Sequence, residues 1–199
     1  MIKPNGYDEA KVQGEFTPVE LGGHYLIIKQ VEEMQSSTGK PMIKVSFDFA
    51  PEDKQPNYFA EQFKNDIRPD KKWSNQATVY ILVYDETGAT SSKFKTFVTC
   101  VEHSTTGFTV QWGDNFCQQF KGKIVGGVFG EQLDVYNGAI KKKRVLRWFV
   151  SKDKVADATI PEVSETKAYK EQGQNAAIAS SDGFMNIPDG IDEGELPFN

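Results

Sequence analysis

Cysteine and histidine are scarce in this chain, with two of each among 199 residues. Cys100 and Cys117 are too few for a disulfide framework, which excludes the small disulfide-stapled secreted domains, and we expect both thiols to be reduced. Cys100 falls in an apolar helical pattern that is typical of a small core residue. The cysteines form no Cys-x-x-Cys pair, and His24 and His103 have no metal-ligand spacing, so we expect no metal site and no cofactor.

Long apolar runs are absent as well. No run approaches the ~20 residues that a membrane-spanning helix needs. Residues 1–12 are polar and carry no apolar signal core. We therefore expect no membrane partner and a protein that is made and kept in the cytoplasm.

Catalytic motifs are also missing, since the chain has no Walker loop and no Gly-x-Ser-x-Gly elbow. The nearest approach to a catalytic site is a nuclease-like set, Asp48 with Glu61 and Lys64, which could hold a metal and a water. Acidic residues on the wet faces of strands are common, however. We predict a protein without enzymatic activity.

The net charge of −5 argues at first against a nucleic-acid partner. Its distribution reverses that inference, because residues 1–150 carry 19 basic and 18 acidic residues whereas residues 151–199 carry 4 basic and 10 acidic ones. The acidity is thus concentrated at one end of the chain.

Apolar periodicity predicts a mainly β fold. Residues 43–49 alternate cleanly, with Ile43, Val45, Phe47 and Phe49 on a buried face and Lys44, Ser46 and Asp48 on a wet one. We predict strands at 24–33, 43–49, 58–64, 78–84, 123–136 and 139–151, the run 78–84 being covered on both sides. A helix follows Ser91 or Ser92 with an apolar stripe at Phe94, Phe97, Val98 and Val101, and a second short helix spans 115–120.

Glycine positions add two details. Asn137-Gly138 predicts a type I′ hairpin turn, and Gly126-Gly127 indicates a bulge or bend of the kind that closes a small barrel. The fold class that fits best is an OB-like small barrel of five to six strands with one or two short helices and a disordered acidic C-terminal tail. Another small β-barrel remains an alternative.

The chain is expected to divide into a domain at 1–152, a flexible linker at 153–190 and an acidic tip at 191–199. The tip combines carboxylates with a proline-stiffened apolar pair: Asp192, Glu193, Glu195, Leu196, Pro197 and Phe198. Either a partner with an apolar pocket rimmed by Lys or Arg captures this segment, or it is a solubilising tail whose Phe198 docks on its own barrel.

Cations interleaved with aromatic residues form the second candidate site. Single-strand binders combine a positive groove for phosphates with aromatic faces on which bases stack. The candidate DNA-binding residues are Lys44, Tyr58, Lys64, Arg68, Lys71, Lys72, Trp73, Lys141, Lys142, Lys143, Arg144 and Arg147. Lysines on a strand also guard a sheet edge against aggregation, which is the structural alternative. Trp148 and Tyr80 fit core positions better, whereas Trp73, among polar neighbours, is the best stacking candidate.

Together, a β domain, a Gln/Ser/Gly-containing linker and an acidic tip closing in Leu196-Pro197-Phe198 resemble the plan of bacterial and phage single-stranded DNA-binding proteins. The body resembles small proteins carried by phages and mobile elements of Gram-positive bacteria, through Gly22-Gly23-His24-Tyr25, Lys71-Lys72-Trp73 and residues 121–130. One difference is that Asn199 follows Phe198, whereas that family usually ends on the phenylalanine.

The resemblance implies binding and protection of single-stranded DNA in a bacterial host cell, with little sequence preference, during replication and recombination. It also implies that the tip recruits replication and recombination enzymes. The rival hypothesis is a protein-protein adapter whose barrel does not bind DNA. The oligomeric state stays open, a homo-oligomer included.

Overall fold

The structure is a computed structural model that describes residues 2–7 and 17–172. The acidic tip and most of the expected linker, residues 173–199, lie outside the described residues. The chain divides into two units. The first comprises residues 1–131 and 144–163, and the second comprises residues 132–143 and 164–199.

The fold is mainly β and OB-like, as the sequence predicts. Its strands are β1 Gly22–Gln35, β2 Pro41–Phe49, β3 Thr78–Leu82, β4 Ile124–Tyr136, β5 Ala139–Val150 and β6 Ser164–Glu165. Its α-helices are α1 Tyr58–Asn65 and α2 Ser92–Ser104, with short 3-10 turns at Asn75–Ala77, Cys117–Phe120 and Lys152–Lys154. The strand order is β3-β2-β1-β4-β5, and β6 pairs with β4. Over the described residues the sheet is open, with β3 and β5 at its edges.

The core follows the predicted periodicities. Ile43, Val45, Phe47 and Phe49 of β2 are all buried, as is the α2 stripe of Phe94, Phe97, Val98 and Val101. The ring of Phe97 joins the helix to the sheet, since its centroid lies 5.0 Å from that of Phe149 on β5. The alternation on β2 and the stripe on α2 are therefore confirmed.

The expected bulge at Gly126-Gly127 is not found against β1, because that stretch of β4 pairs with β1 in unbroken register. The register shift lies between β1 and β2, at Ile28 and Gln30. The two glycines make room for side chains instead. A Cβ on Gly127 would lie 2.5 Å from Leu26 Cδ1, and one on Gly126 would lie 2.6 Å from Val155 Cγ2.

The predicted strand at 58–64 is wrong, because this segment is helix α1. Asn57 turns the chain with a left-handed φ of 53°. The fully buried Asp48 then accepts hydrogen bonds from the first helical N–H groups, at 2.9 Å from Phe59 N and 3.2 Å from Ala60 N. A carboxylate aimed at the first amides of a helix stabilises the helix start.

The same contacts correct the expectation that Ser46 and Asp48 face water, since both are buried. Burial raises the pKa of the Asp48 carboxyl, although the N–H groups of Phe59 and Phe49 oppose the shift. Asp48 is thus engaged in holding α1. Within residues 2–7 and 17–172 no group of three or more His, Cys, Asp or Glu residues is arranged to hold a metal ion.

Residues 153–163, which the sequence assigns to a flexible linker, belong to the first unit. Val155 is buried, and its carbonyl group lies so close to Gly23 that a Cβ there would clash with it. Arg147 Nη1 donates to the carbonyl of Glu162 at 2.9 Å. The packed body therefore continues past residue 152.

In the second unit, β6 pairs in parallel with the outer part of β4, Gln132 opposite Ser164. The hairpin turn is confirmed, because Asn137 and Gly138 have φ values of 51° and 75°, as a type I′ turn requires. Thr166 Oγ1 donates to Asp134 Oδ1 at 2.9 Å.

As for membranes, no helix in the described part of the chain is long and apolar enough to cross one.

The buried ring of His24 is held at both nitrogens. Nε2 lies 3.0 Å from the Glu20 carbonyl, which can only accept, and Nδ1 lies 2.9 Å from Asp53 Oδ1. Asp53 also accepts from the backbone N–H of Tyr25 at 2.7 Å and of Gln55 at 2.9 Å. Burial alone would raise the pKa of Asp53, but the hydrogen bonds from His24 and the backbone outweigh it and lower that pKa.

Replacing Asp48 with Ala should lower the free energy of unfolding by about 2–3 kcal/mol at pH 7, because the first N–H groups of α1 lose a charged acceptor. Urea denaturation measures the change. Glu61→Ala, which removes an exposed carboxylate from the same helix, is the control. An Asp48→Ala variant as stable as this control would contradict the capping role.

Asp53 should contribute to acid unfolding. Its pKa is lowered from 3.8 in the folded state, so its stabilisation is complete above pH 3.8 and is lost as the pH falls through the lower folded value. Asp53→Asn should therefore be less stable than the wild type at pH 7. Its free energy of unfolding should fall less steeply than that of the wild type as the pH drops below 3.8. Thermal denaturation between pH 2 and 7 measures this, with the exposed Asp157→Asn as control. If the stability of Asp53→Asn falls as steeply at acidic pH as that of the wild type, Asp53 does not contribute to acid unfolding.

Candidate nucleic-acid interface

The predicted cations from the last turn of α1 to the start of β3 form an exposed basic loop, defined as Lys64, Arg68, Lys71 and Lys72. Arg68 is engaged within it, since its Nη2 lies 2.6 Å from Asp66 Oδ2. This guanidinium lowers the pKa of Asp66 to about 2. Lys71 Nζ lies 4.8 Å from the centroid of the Phe63 ring. Lys64, Lys71 and Lys72 are exposed and are the candidates for phosphate contacts at the loop.

Trp73, the predicted stacking residue, is half-buried. Its Nε1 donates to the Ala77 carbonyl at 3.3 Å, and its ring lies 5.9 Å from that of Phe63. It packs beside the core and ties the basic loop to the start of β3. The polar neighbours of Trp73 in the sequence did not reveal this packing, because its contacts come from α1 and the turn before β3.

The two arginines of β5 bind backbone carbonyls in the first unit. Arg144 Nη1 donates to the Val19 carbonyl, and Arg147 Nη1 donates to those of Glu162 at 2.9 Å and Glu131 at 3.3 Å. These contacts hold neighbouring segments against the sheet. The structure thus gives both arginines a packing role that strand alternation did not indicate.

Lys141, Lys142 and Lys143 lie in the second unit and are exposed. Lys143 pairs with Asp134 and, with a hydrogen bond from Thr166, lowers the pKa of that carboxyl. The five cations predicted as one run are therefore divided, three in this unit and two in the first.

The two other predicted residues lie in the first unit. Tyr58 begins α1, and its hydroxyl donates to the Thr17 carbonyl at 2.7 Å. Burial raises the pKa of Tyr58. Lys44 Nζ lies 2.9 Å from Glu32 Oε2, and this hydrogen bond raises the pKa of Lys44. Of Tyr58 and Lys44, it is Lys44 that lies beside an exposed aromatic face.

That face is an aromatic strip on β3 and its continuation, defined as Tyr80, Leu82 and Tyr84. Tyr80 is 53% exposed, Leu82 37% and Tyr84 47%, as residues two apart share one face of a strand. Lys44 of β2 lies directly opposite Tyr80 in the sheet. The prediction that residues 78–84 are covered on both sides is wrong, and so is a core position for Tyr80, because the alternate side chains Tyr80, Leu82 and Tyr84 are exposed.

Beside Tyr84 lies an open groove of about 530 Å³, here called the Trp112 groove. Trp112 is 69% exposed, and its ring stacks on Phe116 at 5.1 Å with an interplanar angle of 12°. The sequence pattern did not single out Trp112. Its position between Gln111 and Gly113, outside any apolar period, was the available signal.

Trp148 is also misplaced by the core prediction, since it is 44% exposed. It lines a smaller groove of about 300 Å³ whose other walls include Val79 of β3 and Lys93 of α2. The described first unit thus has exposed aromatic residues on β3, at the Trp112 groove, on β5 and at Tyr7, whereas Trp73 is half-buried.

With this geometry established, comparison with known proteins adds no family assignment: no protein-family model matches the chain, and no curated protein sequence matches it either.

Proposed function

We propose that the protein binds and protects single-stranded DNA in the cytoplasm of a bacterial cell, with little sequence preference, during replication and recombination. The observation that carries this proposal is the aromatic strip, a row of exposed Tyr80, Leu82 and Tyr84 beside Lys44. Stacking on aromatic faces tolerates every base, and a neighbouring cation suits a phosphate.

The spacing of the strip suits an extended strand. Tyr80 lies in β3 and Tyr84 two residues past its end, and their separation of four residues spans about 13 Å in extended backbone. Each tyrosine can receive one base without the other blocking it, and each stacked base contributes about 1–3 kcal/mol. Leu82 offers an apolar contact between them.

Phosphates would meet cations at the start of the strip. The basic loop leads through Trp73 to the first residue of β3, two residues before Tyr80. Its Lys64, Lys71 and Lys72, with Lys44, supply the electrostatic attraction. The exposed Lys141, Lys142 and Lys143 of the second unit are further candidates for phosphate contacts.

Recruitment of replication and recombination enzymes is proposed for the acidic tip, Asp192 to Phe198, on the sequence alone, since the tip lies outside the described residues. An adapter function is the second candidate. The Trp112 groove favours it, because methionines and aromatics line that groove and no lysine or arginine is among its described lining residues. Such surfaces are typical of protein-protein contacts.

Replacing Tyr80 and Tyr84 with Ala should weaken binding to oligo-dT by about 1–3 kcal/mol for each ring, because each removes a stacking platform. Fluorescence anisotropy with a labelled oligonucleotide measures the affinity. Tyr7→Ala is the matched control, since Tyr7 is an exposed tyrosine outside the strip. The adapter hypothesis predicts no binding by the wild type, and equal affinities of all three variants would remove the strip from the interface.

Binding should weaken with salt, since cations that contact phosphates release counterions. Engagement of Lys44 and the three loop lysines gives a slope of about −3 in log K against log salt concentration, at about −0.7 per phosphate contact. Replacing Lys64, Lys71 and Lys72 with Gln should reduce this slope by about 2. Lys167→Gln, at an exposed lysine of the second unit, should leave it unchanged. Equal slopes for the wild type and the triple variant would exclude the basic loop from DNA contact.

A further inference from the structure

The Trp112 groove differs chemically from the aromatic strip. Two exposed rings border it, Trp112 and Tyr84, and Phe116 supports one face of Trp112. Phe94 buttresses the same indole at 6.3 Å. A ring that is supported on one face and 69% exposed overall offers its other face to a flat ligand.

The one charged residue among the groove's described lining residues is acidic. This residue is Glu33, two positions before the end of β1, and the described lining residues include no cation. Cys117 donates its thiol to Glu33 Oε1 at 3.8 Å and so helps to fix this side chain. Burial and the nearby Glu33 charge raise the pKa of that thiol to about 11, so it stays protonated.

These features fit a nucleobase better than a phosphate. A carboxylate repels phosphate, but it accepts two parallel hydrogen bonds from neighbouring donors. Among the bases, guanine presents such a pair on its Watson–Crick edge, the ring N1–H and the 2-amino group. Thymine presents a single N–H between two carbonyl oxygens, which a carboxylate disfavours. Unstacked bases are commonly bound through this edge while they stack on an aromatic side chain.

We propose that the Trp112 groove is a guanine-binding subsite, in which the base stacks on Trp112 and Glu33 accepts hydrogen bonds from its N1–H and 2-amino groups. This inference rests on the proposed binding of single-stranded DNA. Tyr84 belongs to both the strip and the groove, so one strand can stack along β3 and place its next base in the groove. Contacts on the strip tolerate any base, whereas the groove adds a preference at one position.

The test compares three oligonucleotides of the same length: oligo-dT, oligo-dT with one central deoxyguanosine, and oligo-dT with deoxyinosine there. Inosine lacks the 2-amino group and so loses one of the two donors. The guanine oligonucleotide should bind the wild type about tenfold more tightly than oligo-dT, as one bidentate base contact allows. Inosine should lose most of this gain.

Three variants locate the effect. Glu33→Gln should bring the ratio of guanine to thymine affinity close to one, because the carboxylate is replaced by an amide of the same shape. Trp112→Ala should reduce the ratio in the same way. Glu61→Gln removes an exposed carboxylate outside the groove and should shift both affinities equally, which leaves the ratio intact.

Equal affinities of the wild type for the guanine and thymine oligonucleotides would overturn the inference while leaving the proposed function standing. A guanine preference that survives in Glu33→Gln would overturn it too. If no oligonucleotide binds, the proposed function and the inference both fail. Binding of the guanine oligonucleotide alone would support the groove and remove the strip.

Discussion

The packing of Phe49 is the contact on which the rest of the first unit depends. Its buried ring stacks on His24 of β1 at 4.2 Å, and it meets Phe59 of α1 at 5.1 Å and Phe129 of β4 at 5.4 Å. One side chain thus joins two strands and a helix to β2. Its neighbour Asp48 holds the first turn of α1, and that helix carries the basic loop towards β3. The position of the candidate interface therefore depends on Asp48 and Phe49, the last two residues of β2.

Much of this fold could be predicted where the signal is local. The alternation of β2, the stripe of α2 and the Asn137-Gly138 turn each depend on a few neighbouring residues, and all three are confirmed. Helix α1 was missed because its start depends on Asp48, a carboxylate ten residues upstream. Likewise, residues 153–163 look like linker by composition, yet they pack because glycines on β1 and β4 leave space for Val155.

The candidate site was harder to predict, since exposure depends on which elements cover each face of the sheet. A run such as Tyr80-Ile81-Leu82 reads as buried on both faces, and only the folded structure shows that one face of it is exposed. In the sequence the arginines of β5 resemble surface cations, but in the structure they donate hydrogen bonds to the carbonyls of Val19 and Glu162. Of the candidate DNA-binding residues, those of the basic loop, Arg68 included, and Lys141 to Lys143 are exposed.

Exposed aromatic residues therefore indicate a binding site in this protein more specifically than exposed lysines do. Lysines on β5 have a structural reason, because charges on an edge strand prevent sheets from pairing. The other edge, Thr78–Leu82, has no charged residue and displays Tyr80 and Leu82 to solvent. Each square ångström of apolar surface left uncovered forgoes about 25 cal/mol of stabilisation. Exposed Tyr80 and Leu82 have no such role in keeping sheets apart, and a ligand that stacks on them would remove this apolar surface from water.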